Sequence, residues 1–234
     1  MARPTLFLVP TWTELEWTIR PQLEEWAEVA SYDPASVAEH GEITRDAIVA
    51  AGLAELERLG WDEPYVVGDT FGTATAARIA HARRDALAGV ALGHACLSWD
   101  MDGDRAPVKR ELCEAMEQLM SQDVDSFARH GLTQITQGSY DEALAQEMVK
   151  RIPSDVMRAI WALADQQHEP IGELLREIDR PLLLAQHEGC LVFTDEGFED
   201  VVATFPQARS LGTPTPPGGD PEFAAALREF CGAE

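Results

Sequence analysis

The sequence predicts an α/β fold built on one mainly parallel sheet, and three observations carry that prediction. Short apolar runs alternate with longer stretches of helical period; four such runs precede residue 93 and two follow residue 180; and the stretch between them carries helical patterns without a strand. About six mainly parallel strands flanked by helices are therefore expected, with residues 1–98 and 181–234 as the core and residues 99–180 as an inserted helical lid.

The elements follow in order. Leu6-Phe7-Leu8-Val9 is the first strand, an amphipathic stretch around Leu23 and Trp26 a helix, and Ala27 to Tyr32 the second strand. Glu42 to Leu59 reads as a helix with Ile48, Gly52, Leu56 and Leu59 on one face and Gly60 as its stop. Pro64 to Val67 is a third strand, Phe71 to Arg84 an alanine-rich helix, and Leu87 to Leu92 a fourth strand. In the insertion, Val108, Leu112, Met116 and Met120 fall four apart, and helices are expected from Asp141 to Arg151, Ser154 to Asp165 and Ile171 to Ile178. The sheet resumes at Pro181-Leu182-Leu183-Leu184-Ala185, followed by a helix from Glu196 to Phe205, a strand near Ala208 to Leu211 and a closing helix from Pro221 to Phe230. Pro214-Thr215-Pro216-Pro217-Gly218-Gly219 forms a loop before that last helix.

Composition narrows the function classes. At 234 residues one sizeable core is affordable, and no apolar run approaches the roughly 20 residues of a membrane helix. The net charge of -23, with 41 acidic residues, would repel nucleic acid and anionic membrane surfaces alike. A cytoplasmic protein is expected, and a homodimer is compatible with the composition. Cys96, Cys113, Cys190 and Cys231 are widely spaced, with no C-x-x-C pair and no histidine at zinc-ligand spacing, so reduced thiols are expected and neither a metal nor a cofactor.

The most specific local signal is Val66-Val67-Gly68-Asp69-Thr70-Phe71-Gly72-Thr73-Ala74, an apolar strand leading through a glycine-flanked turn into a helix of small residues. Such a turn puts its central residue in an unusual backbone conformation and needs small neighbours where strand and helix approach. It resembles the G-x-S-x-G nucleophile elbow of the α/β hydrolases, with Thr70 at the serine position. Phe7-Leu8-Val9-Pro10-Thr11-Trp12 is similar to that superfamily's first core strand and oxyanion loop, and Asp220 to Phe230 to its closing helix, so the resemblance spans nearly the whole chain.

The resemblance implies a serine-histidine-acid triad, and the residues at its positions differ. Thr70 stands for the serine, Cys190 falls at the acid position and Pro216 near the histidine position, with no histidine anywhere after His187. A threonine hydroxyl needs a positioned base, whose contribution is commonly about 10²–10⁴ in rate.

His94 and His187 lie just beyond predicted strands, where parallel sheets place ligands, and are the candidate bases, although a hydrogen-bonded structural or rim histidine is the more usual role for such a residue. Asp69 is expected to hydrogen-bond beneath the elbow, and Asp100, Asp102 and Asp104 to lie on a solvated loop. Trp12 and Phe71 are placed at the floor of a binding pocket, with the Phe71 amide as an oxyanion donor and Trp99 as a wall. The leading expectation is a small, largely apolar molecule bound or transformed without triad hydrolysis, by a pseudoenzyme or a non-hydrolytic lyase- or cyclase-type enzyme. An unusual esterase-like hydrolase using Thr70, and a partner-binding role on a retired enzyme scaffold, are the alternatives; an ordinary serine esterase is not expected.

Overall fold

The computed structural model describes residues 3–70, 72–94, 114–115, 117–123, 127, 142–165, 171–188, 190 and 195–233. Its strands are β1 (Thr5–Val9), β2 (Glu28–Ser31), β3 (Tyr65–Gly68), β4 (Gly89–Gly93), β5 (Leu182–His187) and β6 (Arg209–Thr213). They form one six-stranded sheet in the order β2-β1-β3-β4-β5-β6, every neighbouring pair parallel. The labelled helices are α1 (Arg20–Leu23), α2 (Arg45–Leu59), α3 (Gly72–Ala82), α4 (Glu142–Arg151), α5 (Ser154–Asp165), α6 (Ile171–Arg176), α7 (Asp195–Thr204) and α8 (Pro221–Phe230).

Side chains alternate across a strand, so each strand feeds two cores. Phe7, Val9, Val66, Val90, Leu92 and Leu184 face one side, where α2, α3 and the helices between β4 and β5 contribute Ile48, Ile79, Met148, Met157, Trp161 and Leu175. Leu6, Leu8, Val67, Ala91, Leu183 and Ala185 face the other, covered by Leu23 of α1 and by Phe223 and Leu227 of α8. Parallel strands buried on both faces require continuous apolar sequence, and β1 supplies it.

Local chemistry sets the helix ends. The Thr44 side chain accepts from the Ala47 amide at 3.1 Å to start α2, three residues later than the periodicity predicts, and Gly60 closes it in the left-handed region at φ 65°. Asp220, fully buried, accepts from the Glu222 amide at 2.7 Å to start α8 while its other oxygen holds Thr215, which pins the proline-glycine loop. The stretch around Leu23 and Trp26 forms only the single turn of α1, because Pro21 allows a helix start there and β2 begins five residues after α1 ends.

The strand order reverses between β1 and β3: the chain leaves β1 towards β2 on one side and returns to β3 on the other. Loops that diverge at such a point leave a crevice beyond the carboxyl ends of the strands, the usual ligand position in open α/β sheets. There α3 packs tightly on the end of β1, and a Cβ on Gly72 would run into the Val9 carbonyl oxygen. Gly72→Ala is expected to lower stability by about 1–3 kcal/mol, seen as a lower urea midpoint with an unchanged slope; an unaltered midpoint would show that this contact relaxes freely.

Candidate functional site

Thr70 takes the centre of the turn between β3 and α3 with φ 53°, a region that costs a β-branched residue energy and that surrounding structure must enforce. The Gly72 amide donates to the Asp69 carbonyl at 2.9 Å and the Thr73 amide to the Thr70 carbonyl at 3.2 Å, so the helix begins directly from the turn. Thr73 Oγ1 also donates to the Gly93 carbonyl at 2.6 Å, fastening the turn to the end of β4. His94, the next residue after β4, has φ 51°, a second strained position that the sequence does not announce.

Asp69 binds these pieces together. Its Oδ1 accepts from the Thr70 amide at 2.8 Å and from His94 Nδ1 at 2.7 Å, and its Oδ2 accepts from the Gly218 amide at 2.8 Å. His94 Nε2 in turn lies 2.6 Å from Nδ1 of His187, the last residue of β5, with the two rings nearly perpendicular at 83°. Cys190 is buried beside them, one atom from each of His94, His187 and Cys190 lying within 4.8 Å of the others.

The charges follow from this geometry. Burial works against charge on His94, but the Asp69 carboxylate, with Cys190 assisting, overcomes it and raises the imidazole to about 9. Burial would likewise raise Asp69, yet the His94 charge and the hydrogen bonds from His94, Gly218 and Thr70 hold it below its ordinary value. For His187 burial and then the neighbouring His94 charge push the same way, down to about 4. The row is therefore an Asp69 carboxylate, a His94 imidazolium donating from both nitrogens, and a neutral His187 whose buried Nε2 has no hydrogen-bond partner among the described residues.

The loop after β1 carries the second feature. The amides of Thr11, Trp12 and Thr13 all point at the carboxylate of Glu16, at 2.8, 2.6 and 2.9 Å. Three converging amides make an anion-binding nest, and here the chain fills it with its own acid. Burial outweighs those bonds and raises Glu16 from 4.5 to about 7. Trp12 stacks on Trp161 at 6.0 Å and meets Phe127 edge-on at 6.2 Å, while its Nε1, buried, finds no acceptor among the described residues.

The expected residues thus fall into three groups. Asp69, His94, His187 and Cys190 come together at the carboxyl ends of β3, β4 and β5, and Thr70 sits directly above Asp69 in the chain. Trp12 is in the aromatic cluster, and Pro216 is buried at the start of a short 3-10 turn whose Pro217 and Gly218 pack against Asp69 and Gly93. Phe71, Trp99 and the Asp100, Asp102 and Asp104 loop lie outside the described residues. Glu16 was not foreseen, although Thr13-Glu14-Leu15-Glu16 has the T-x-x-E form of a capping box, with Glu16 reaching back to the Thr13 amide.

No known family pattern matches the sequence, and neither does any curated protein. Solved structures match it closely in shape. A putative non-heme bromoperoxidase of Mycobacterium tuberculosis H37Rv superimposes with a TM-score of 0.73 over 100% of this chain and 94% of its own, at 16% identity. A hydrolase of Oleispira antarctica matches with a TM-score of 0.72 over 91% and 83% at 14% identity, and a thermophilic esterase of Thermogutta terrifontis with 0.67 over 98% and 89% at 18%. The chain has the α/β-hydrolase fold: a six-stranded parallel sheet flanked by helices, with the elbow at the end of β3. No helix among the described residues is long and apolar enough to cross a membrane.

Glu16 yields a pH prediction with a defined sign. Its folded state holds the proton more tightly than the unfolded chain, so stability falls as pH rises from 4.5 to about 7, by an amount on the order of 3 kcal/mol. Glu16→Gln removes that dependence, and its stability relative to the parent protein is expected to improve steadily across the same window in urea titrations. Parallel stability curves for the two proteins would show that Glu16 does not titrate in the nest.

Proposed function

We propose that this protein binds or transforms a small, largely apolar molecule at the crevice between β1 and β3 without a serine-histidine-acid triad. The observation that carries the reading is the Glu16 carboxylate on the Thr11, Trp12 and Thr13 amides. The loop after the first core strand is where this fold recruits an oxyanion donor, and an anionic intermediate would have to displace the Glu16 carboxylate before using those amides. Two further features support it. The loop before the last helix, where the fold's histidine belongs, presents Pro216, Pro217 and the Gly218 amide, and that amide is used to hold Asp69. Next to the nest, Trp12, Trp161 and Phe127 form a buried aromatic cluster, and the Trp12 indole N–H finds no acceptor among the described residues, so the wall of the crevice is apolar with a single donor behind it.

Native mass spectrometry of the purified protein is expected to show a co-purifying small molecule, or saturable binding of apolar carbonyl compounds that quenches tryptophan emission and is weakened in Trp12→Phe. Activated esters are expected to turn over no faster in the parent protein than in Thr70→Ala. Ester hydrolysis that disappears with Thr70, together with labelling by a fluorophosphonate, would overturn this reading.

That outcome would favour a second one, which the Asp69–His94–His187 row supports: an acid-base chain beside an elbow hydroxyl, with Thr70 attacking an acyl group and a histidine taking its proton. In that case His187→Gln would abolish the activity as completely as Thr70→Ala.

A further inference from the structure

We infer that His94, His187 and Cys190 form a binding site for a zinc-class divalent transition ion, with Asp69 as the residue that orients it. The inference does not depend on the reaction proposed above. Two imidazoles and a thiol, all buried, converge with donor atoms within 4.8 Å of one another, and nitrogen with sulfur is the donor set that borderline-soft ions select.

The orientation of His94 is the second observation. Its Nδ1 donates to the Asp69 carboxylate at 2.7 Å, which directs Nε2 at the cluster. A carboxylate behind a ligating histidine fixes the ring and makes it a better donor, the arrangement usual around protein-bound zinc. Asp69 is itself held by two backbone amides, so this second layer is rigid.

An ion needs room between the two rings. Zinc–nitrogen bonds of about 2.0–2.1 Å in a tetrahedron separate two nitrogens by about 3.3 Å, whereas His94 Nε2 and His187 Nδ1 are 2.6 Å apart. The rings must part by less than about 1 Å, the ion replacing the proton between them and the thiol proton, both of which leave to solvent. Three protein donors leave the fourth tetrahedral position to water or a small ligand.

The short spacing His187-Glu188-Gly189-Cys190 is the trace of this in the sequence. The third donor, His94, lies 93 residues from His187, a pairing that no local spacing conveys.

Cobalt titration of the chelator-treated full-length protein tests the assignment. One equivalent of Co²⁺ is expected to bind with a thiolate-to-cobalt charge-transfer band in the near ultraviolet and visible bands of tetrahedral intensity, all displaced by Zn²⁺. Cys190→Ser is expected to remove the charge-transfer band, and His187→Gln to remove stoichiometric binding. Asp69→Asn should keep the band and weaken affinity about 10–100-fold, while Cys231→Ser, a thiol outside the cluster, should change nothing. Circular dichroism confirms that each variant is folded. The absence of a band at saturating cobalt, or a band that survives Cys190→Ser, would overturn the site.

Discussion

The structure around the site depends on one buried carboxylate. Asp69 is a buried charge at the carboxyl end of β3, and a charge there is tolerated only when each oxygen is satisfied and a counter-charge stands close. The elbow amide of Thr70, the loop amide of Gly218 and the imidazole of His94 meet those needs together, and they come from three separate parts of the chain. One side chain thereby holds the strained turn at Thr70, the loop ahead of α8 and the ring of His94 in register. Gly93 and Gly218 make this packing feasible, since a Cβ on either would press on Asp69.

The fold was largely legible because it is written in local pattern. Apolar runs of strand length, the stop at Gly60 and the glycines around Thr70 are short-range signals, and each marks an element close to where the structure has it. What the pattern cannot convey is pairing across distance. His94 and His187 were identified as neighbours of the crevice from their positions after strands, but nothing nearby in sequence says that their nitrogens meet or that Asp69 stands behind them. Glu16 differs, since its partners are three to five residues away and the T-x-x-E spacing was there to be read.

Two acids, Asp69 and Glu16, thus occupy the two sides of the crevice in different electrical states. Asp69 has a cationic neighbour and stays ionised; Glu16 is held by hydrogen bonds, chiefly from the loop amides, and burial draws it towards its protonated form. Dipoles soften the cost of burying a carboxylate but do not cancel it as an ion pair does. The loop after β1 is therefore held by a group sensitive to neutral pH, while the elbow opposite is held by one that is not. Any molecule bringing its own oxygen anion to the Trp12 amide must compete with Glu16, and that competition eases when Glu16 is protonated and its hold on the amides weakens.

The separation of 149 positions between Asp69 and the Gly218 amide also has a consequence for synthesis. A chain emerging from the ribosome can pair β1, β2 and β3 early, since all three lie within its first 68 residues. Through most of translation, however, the carboxylate at the end of β3 waits for an amide not yet made. Until then the oxygen that Gly218 will hold has only water to accept from, although the local bonds of the turn and the His94 pairing need nothing beyond residue 94. The core strands can form progressively, but the site is completed late, after β5 has brought His187 and the loop beyond β6 has brought Gly218.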